Sequence, residues 1–276
     1  MAVRSPHQFD EIGNWSEIKL EILKKYAQAY STILASRTSP PFYHVYVDAF
    51  AGPGVHISRS MRGFIPGSPL NALEVEPPFR EYHLIDIVSE KIDLLSELVG
   101  PRKDVFLYKG DCNTILLNEV FPKIQYKDYR RGLCILDPYG LHLDWTVVAA
   151  AGKMRSIDMF LNFPVSDINR NVLWHNPEGV DPSDIARMDA FWGDDTWRHI
   201  AYRRKRNLFG WYSEKAPNEV VAEAFRLRLR EVAGFDQVPE PLPMKNSKGA
   251  IVYYLFFGSQ VETAERIARD IFKRYR

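Results

Sequence analysis

One stretch limits what this chain can fold into. Tyr43 to Val47 is a β-rich run that ends in the carboxylate Asp48 and breaks through Phe50 and Ala51 into Gly52-Pro53-Gly54. A strand that opens into glycines is the place where an open α/β sheet binds a nucleotide-like ligand, because glycine lets backbone and ligand approach closely. The same rhythm then repeats. Tyr82–Asp86, Val105–Tyr108, Leu133–Leu136 and Met159–Leu161 are short apolar runs, each followed by a turn or by a helix-capping residue. Near-continuous apolar strands of this kind suit a parallel sheet buried on both faces.

The segments between them carry helical spacing. Asn14 with Glu17 three residues later resembles a capping box, and Ile18, Ile22, Leu23, Tyr26, Tyr30, Ile33 and Leu34 then recur every three or four residues. This helix covers the sheet, or forms a lid with Trp15 and Lys19 turned inward. A long loop from Val55 to Gly67 follows the first strand, and Ser68-Pro69 fits the start of the next helix. Ser89 opens a helix with Ile92, Leu95 and Leu98 on one side. Asn113 and Asp144 are placed to cap two more. Between Ser166 and Phe235 the strand rhythm stops and aromatics dominate, among them Trp174, Phe191, Trp192, Trp197, Phe209, Trp211 and Tyr212. Pro239, Pro241 and Pro243 mark a return to the sheet, with a hairpin from a strand near Met244 into Ile251–Phe257 and a final helix. The expected architecture is therefore an α/β, doubly wound, Rossmann-like and mostly parallel sheet with an antiparallel C-terminal hairpin and a helical insert. Its parts are a helical cover (1–41), a core (42–165), the insert (166–238) and closing strands with a helix (239–276).

Composition removes several alternatives. The 276 residues are 46% hydrophobic and 26% charged, enough for a large core. A net charge of +1 excludes a globally basic nucleic-acid binder while leaving room for a local basic patch. Cys112 and Cys134 read as free thiols, no Cys/His cluster has zinc spacing, and no apolar run approaches the ~18 residues of a membrane span. Met1 to Pro6 has no signal-peptide core, so a cytoplasmic setting is expected.

The chemistry gathers at the strand ends, where Asp48, Asp86, Asp111 and Asp137 fall one per strand. Any one of them could be a helix cap or a turn residue. Together they suit a ligand with a ribose, an amino-purine and positive charge. Asp86 can accept from ribose hydroxyls and Asp111 from an adenine amino group, while Asp48 lies beneath the glycines near a ligand ammonium or sulfonium. Such a line of carboxylates repels a pyrophosphate. The spacing from Gly52 to Asp86 is 34, against a usual ~20 for dinucleotide sites, and Ile57 stands where the third glycine of that fingerprint would be. S-adenosylmethionine (SAM) fits better than a dinucleotide. Asp137-Pro138-Tyr139 can hold an exocyclic amine and stack on a base, and Asn162-Phe163-Pro164 offers similar chemistry one strand over.

With these residues in place, Asp48-x-Phe50-Ala51-Gly52-x-Gly54, Asp86, Gly110-Asp111 and Asp137-Pro138-Tyr139 resemble the class I SAM-dependent methyltransferases. More narrowly, the chain resembles the three-Cys-motif partner (TcmP) family, from Gly13-Asn14-Trp15 and Lys19 through Gly67-Ser68-Pro69 and Asp137–Gly140 to Tyr254–Phe257. The resemblance implies a methyltransferase-like fold, SAM as cofactor, and a three-cysteine-motif, radical-SAM-like protein as partner. The candidate cofactor set is Asp48, Phe50, Ala51, Gly52, Gly54, Asp86, Asp111 and Cys112; the candidate catalytic set, read from the chemistry of the strand ends for a methyltransferase that acts on nucleic acid, is Asp137, Pro138, Tyr139 and Asn162. Adenine-directed amino-methyltransferases usually carry a second proline after the first, where this chain has Tyr139. A non-catalytic SAM-binding partner is the alternative function.

A last cluster lies in the insert. Arg198, Arg203, Arg204, Lys205 and Arg206 stand beside Trp197, Tyr202, Phe209 and Trp211, a combination that binds nucleic acid when cations meet phosphates and rings meet unpaired bases. The plainer reading is a solvated helix face. Of the histidines, His142 is expected nearest the crevice.

Overall fold

The alternating pattern becomes one seven-stranded sheet. The computed structural model describes residues 9–60, 62–207 and 210–276, so Phe209 and Met1 to Pro6 lie outside the described residues, as does the side chain of Trp211. The strands are β1 (Tyr43–Asp48), β2 (Glu81–Asp86), β3 (Val105–Lys109), β4 (Arg130–Leu136), β5 (Ile157–Phe163), β6 (Leu242–Lys245) and β7 (Ile251–Gly258). Their spatial order is β3-β2-β1-β4-β5-β7-β6. β1 to β5 are mutually parallel. β7 runs antiparallel to both β5 and β6. The chain thus starts in the middle, fills one side, and crosses β1 to fill the other. The crossing leaves a crevice between the loops after β1 and β4, the switch point of an open sheet.

Both faces of the sheet are covered, which explains the unbroken apolar strands. Val45, Val47, Cys134, Leu136, Leu161 and Phe163 point to one face and pack under α4 (Trp145–Met154), α6 (Pro182–Trp192) and α8 (Asn218–Glu231). Tyr46, Tyr82, Leu84, Ile135, Phe160 and Phe257 point to the other. There α1 (Asn14–Ala35) buries Ile22, Leu23, Tyr26, Ala27 and Tyr30 in helical register, alongside α9 (Glu262–Lys273). Asp158, buried at the start of β5, accepts hydrogen bonds from Tyr26 Oη (2.7 Å) and Ser259 Oγ (2.6 Å). Among the described residues no helix is long and apolar enough to cross a membrane.

Several local expectations change. The N-cap of α1 is Gly13, not Asn14, and no capping box forms. Glu17 instead accepts from Ser58 Oγ at 2.6 Å and Ser60 Oγ at 3.0 Å, partners 41 and 43 residues away that no local pattern announces. α2 (Ser68–Leu73) begins one residue earlier than expected, with Gly67 rather than Ser68 as its N-cap. Asp111, not Asn113, caps the short helix Cys112–Ile115, accepting from Thr114 N at 2.9 Å. Asn113 accepts from Asp144 N at 2.8 Å instead. In α3 (Ser89–Val99) Ile92 and Leu95 are buried, whereas Leu98 is half exposed. The long loop after Gly54 is a hairpin, Val55–Ser58 against Gly63–Pro66, joined in parallel by Glu11–Ile12.

The insert is not wholly helical. α5 (Val165–Asn171), α6, α7 (Trp197–Ala201) and α8 are interrupted by an antiparallel ribbon, Tyr202–Asn207 against Gly210–Lys215. Its sequence hides this because Tyr-Arg-Arg-Lys-Arg-Asn carries charge on both faces and shows no apolar alternation of period two. Nor does the segment keep a core apart from the sheet. Phe225 of α8 is fully buried, with ring centroids 4.8 Å from Phe163 of β5, 5.3 Å from Phe256 of β7 and 5.7 Å from Phe191 of α6. Phe225→Ala is expected to cost about 3–5 kcal/mol of stability, the usual range for an emptied aromatic site. A urea-denaturation cost below about 1 kcal/mol would show that the segment packs independently of the sheet.

Candidate functional site

The crevice is built from the loop after β1. Gly52 and Gly54 hold φ of +61° and +84°, a region that side-chain-bearing residues rarely adopt. A Cβ on Gly54 would also stand 2.7 Å from Leu95 Cδ1. The loop is clamped from the next strand. Asp86 accepts from Gly52 N at 2.9 Å through Oδ2 and from Val88 N at 2.8 Å through Oδ1. Each carboxylate oxygen keeps a second lone pair for a ligand hydroxyl. Immediately after it, Ile87 and Val88 are 72% and 40% exposed, an apolar rim that the sequence reading missed.

Asp48 lies beneath the loop, fully buried. Its Oδ1 accepts from Phe50 N at 3.2 Å and its Oδ2 from Tyr46 Oη at 3.3 Å. Burial is the main force pushing its carboxyl up to about 6, and the nearby charge of Asp137 adds to it. Asp111 sits farther out. It is exposed, and its oxygens accept from Thr114 N, Thr114 Oγ1 and Asn113 Nδ2 within its own turn. Cys112 is buried, and burial followed by the charges of Asp111 and Asp144 pushes its thiol up to about 12, so it packs as an apolar group.

A cavity of about 500 Å³ opens beside Phe50 and Gly52 and runs past Ser68, Asp137–Gly140, Asn162 and Pro164. The N-terminal segment roofs it. The covering and lid readings of α1 both hold: its later turns pack on the sheet, while Trp15 and Lys19 line the cavity. Lys19, itself buried, makes an ion pair with Asp137 and stands 5.3 Å from the Tyr253 ring centroid. Asp10 accepts from Lys91 Nζ at 2.7 Å and from Tyr139 Oη at 3.0 Å, and Lys91 lies 5.3 Å from the Tyr139 ring centroid. Burial works to raise the Asp10 carboxyl, but the hydrogen bonds from Lys91 and Tyr139 outweigh it and hold the group below its ordinary range. Tyr139 therefore ties the loop after β4 to the roof and to α3, while its ring stays exposed on the cavity lining.

At the β5 end, Asn162 is buried with Oδ1 unpartnered. Asp167 of α5 accepts from Asn171 Nδ2 at 2.9 Å through Oδ1, while its buried Oδ2 has no partner. That oxygen lies against Gly140, where a Cβ would come within 2.8 Å of it. Buried acceptors are nearly always satisfied, so two orphans on one cavity wall mark where donors belong. His142 is exposed and outside the cavity, whereas His56, carried in by the hairpin, lines it. Burial holds the His56 imidazole below its ordinary range. No sequence signal linked Asp10, Lys91 or His56 to the crevice, because each arrives through a tertiary contact.

The basic cluster is divided. Arg198 pairs with Asp189 at 3.2 Å, and Trp197 beside it is buried in the core. The ribbon register sets Arg203 and Lys205 with Tyr212 and Glu214 on one face, and Arg204 and Arg206 with Ser213 and Lys215 on the other. Lys205 pairs with Glu214 at 2.7 Å. Lys215 donates to Asn169 Oδ1 of α5 at 2.7 Å, which fixes the ribbon base beside the helix that carries Asp167.

No family model matches the chain, and no curated protein matches it. Among solved structures it is similar to LPL1258 from Legionella pneumophila, of the DUF519 family, with a TM-score of 0.52 and 12% identity over 93% of this chain and 91% of that one. At that identity the likeness is one of fold. Trm1 from Pyrococcus horikoshii, in complex with SAM, aligns with a TM-score of 0.45 and 11% identity over 92% of this chain and 57% of that one. A SAM-dependent methyltransferase of the DUF858 family from Leishmania major aligns with a TM-score of 0.39 and 9% identity over 88% and 82%.

The buried Asp48 yields a signed pH dependence. Its folded-state pKa, raised from 3.8 to about 6, means that the folded form is favoured while the carboxyl is protonated and loses that advantage as pH rises through 6. Asp48→Asn is therefore expected to raise stability at about pH 8 by up to ~3 kcal/mol, with the difference vanishing below about pH 4. Thermal denaturation of both proteins across that range checks it. A variant less stable than wild type at about pH 8 would contradict the assignment.

Proposed function

We propose that this chain is a SAM-dependent methyltransferase whose cofactor binds in the switch-point crevice. The observation that carries the reading is the Asp86 carboxylate, which does not itself line the cavity but is fixed by Val88 N and by the N–H of Gly52, a residue that does. A carboxylate so held accepts from a ribose diol without reorganising. The surrounding residues fit the rest of such a ligand. Ile87 supplies an exposed apolar face beside the ribose position, with Asp111 and Cys112 one strand out. The positive φ of Gly52 and Gly54 turns the loop sharply, with Phe50 lining the cavity. Asp48 and Asp137 give the floor a negative charge that suits a sulfonium and repels phosphate. The reversed β7 in an otherwise parallel sheet is what the resemblance to class I methyltransferases implies.

When bound, SAM supplies an electrophilic methyl group. The chain supplies position and exclusion of water: the roof of Trp15, Lys19 and Leu20 closes over the cavity, and Asp137, Asn162 and Asp167 present acceptors on its far side. Acceptors of that kind orient an N–H-bearing group, so the methyl acceptor proposed is an amine. Asp137 is the candidate base once Lys19 withdraws from it. A nucleic-acid amine is the acceptor class proposed, with the ribbon of Arg203 to Arg206 as its outer contact. A second reading, a non-catalytic SAM-binding partner of a three-cysteine-motif protein, is favoured by one observation: the protein's own ammonium, Lys19, already lies against Asp137.

Calorimetry with S-adenosylhomocysteine tests the cofactor reading. Wild type is expected to bind, and Asp86→Ala to bind at least about tenfold more weakly (~1.4 kcal/mol) with its circular dichroism unchanged. No binding by the wild type overturns it. Transfer of labelled methyl from SAM to a nucleic-acid pool then separates enzyme from partner. Turnover that survives in Asp137→Ala would remove Asp137 from the catalytic set.

A further inference from the structure

At the opposite end of the strands lies a second cavity, of about 380 Å³. It opens beside Phe42, which precedes β1, and beside Ser156 and Asp158 at the start of β5, between the later turns of α1 and the first turn of α9. The crevice described above is at the strands' other ends, so the two sites share no lining residue.

Two properties of the second cavity stand out. Its rim is apolar and uncovered: Ile33 is 38% exposed, Tyr126 57% and Val261 54%. Large apolar side chains gathered around one opening mark a binding surface more often than an accident of composition. Its charge is cationic, with Arg37, Arg131 and Arg155 all lining it. Arg155 is partly neutralised by Asp236 at 2.7 Å. Arg131 is held flat, its guanidinium carbon 3.9 Å from the Tyr126 ring centroid and 4.7 Å from that of Phe42. Its Nη1 donates to the carbonyls of Arg130 (2.8 Å) and Tyr126 (3.2 Å), while Nε and Nη2 have no protein partner among the described residues. The Arg37 guanidinium has none there either. The lining carboxylate, Asp158, accepts from Tyr26 and Ser259 and offsets part of this charge, but makes no hydrogen bond to a guanidinium among the described residues. A planar donor held against two rings, with three N–H bonds left over on Nε and Nη2, is pre-organised for an oxyanion and loses little entropy on binding one. The volume falls within the range of small-molecule sites.

We propose that this cavity is a second ligand site, selective for a small amphipathic anion. The apolar body rests on Ile33, Tyr126 and Val261, and the carboxylate, sulfonate or phosphate head is held by Arg131 and Arg37. The chemistry is shared by aromatic acids and by short fatty acids, and two probes separate them. Titration with 1-anilinonaphthalene-8-sulfonate, followed by fluorescence, is expected to saturate at one site and to be reversed by laurate. If laurate fails to displace the dye, the ligand class narrows to aromatic anions. Arg131→Gln is expected to weaken the dye by about tenfold or more, and Arg37→Gln, a change at an exposed position, to weaken it by a smaller factor. Affinity for S-adenosylhomocysteine should be unchanged in both, which shows that the fold is intact and keeps this test separate from the cofactor reading. Should Arg131→Gln fail to fold, Arg37→Gln decides the matter alone. Two results overturn the proposal: dye affinity equal to wild type in the arginine variants, or displacement by 1-dodecanol as effective as displacement by laurate, which would mean that the charge is not read.

Discussion

The architecture of the crevice depends on one carboxylate. Asp86 holds the β1 loop from the neighbouring strand, and without it the buried Gly52 N–H would have no partner at a residue already in a conformation that only glycine adopts easily. An orphaned buried donor costs roughly 1–3 kcal/mol. The carboxylate acts beside the backbone bonds from Ala51 N to Ile85 O (2.8 Å) and from Gly67 N to Gly54 O (2.7 Å), which anchor the loop to the same strand and to the hairpin. The residue proposed to meet the ligand is thus the residue that shapes the site, and binding and pre-organisation cannot be separated by mutating it.

Above that base the site is held shut by charge. Lys19 against Asp137, and Asp10 between Lys91 and Tyr139, join the N-terminal segment to α3 and to the loop after β4. Both pairs are at least partly buried, and such pairs return little net stability because desolvation offsets most of their attraction. Their effect is on position. A cationic ligand entering the crevice competes with Lys19 for the same negative floor, so ligand and roof are electrostatically coupled although they do not share a bond.

Much of this was legible in the sequence because it depends on local order. β1 to β5, the aspartates at the ends of β1, β2 and β4, and the reversed C-terminal hairpin all follow from apolar runs, turn residues and prolines. The parts that were not legible have a common cause. Glu17 looked like half of a capping box, yet bonds to Ser58 and Ser60 across the molecule. Asp10 and His56 reach the cavity from separate segments, and Lys91 holds Asp10 from α3. Tyr202–Asn207 is a strand because it pairs with Gly210–Lys215, not because its own pattern asks for one. Phe225 reads as one apolar residue on a helix, and only the fold shows it sitting between the sheet and the insert. Tertiary partners override local propensity in each case.

The small sheet over the crevice carries a kinetic consequence. Glu11–Ile12 joins the hairpin by a two-residue pairing, with backbone bonds from Ile57 N to Asp10 O and from Arg59 N to Ile12 O, both 3.1 Å. So short an attachment can detach while the seven-stranded sheet stays intact, since its bonds belong to the low-stability end of the molecule's opening spectrum. The pairing is not the only fastening: Asp10 also holds Lys91 and Tyr139, and Glu11 holds Arg59, so opening the roof means breaking charge contacts as well, and its rate becomes sensitive to salt.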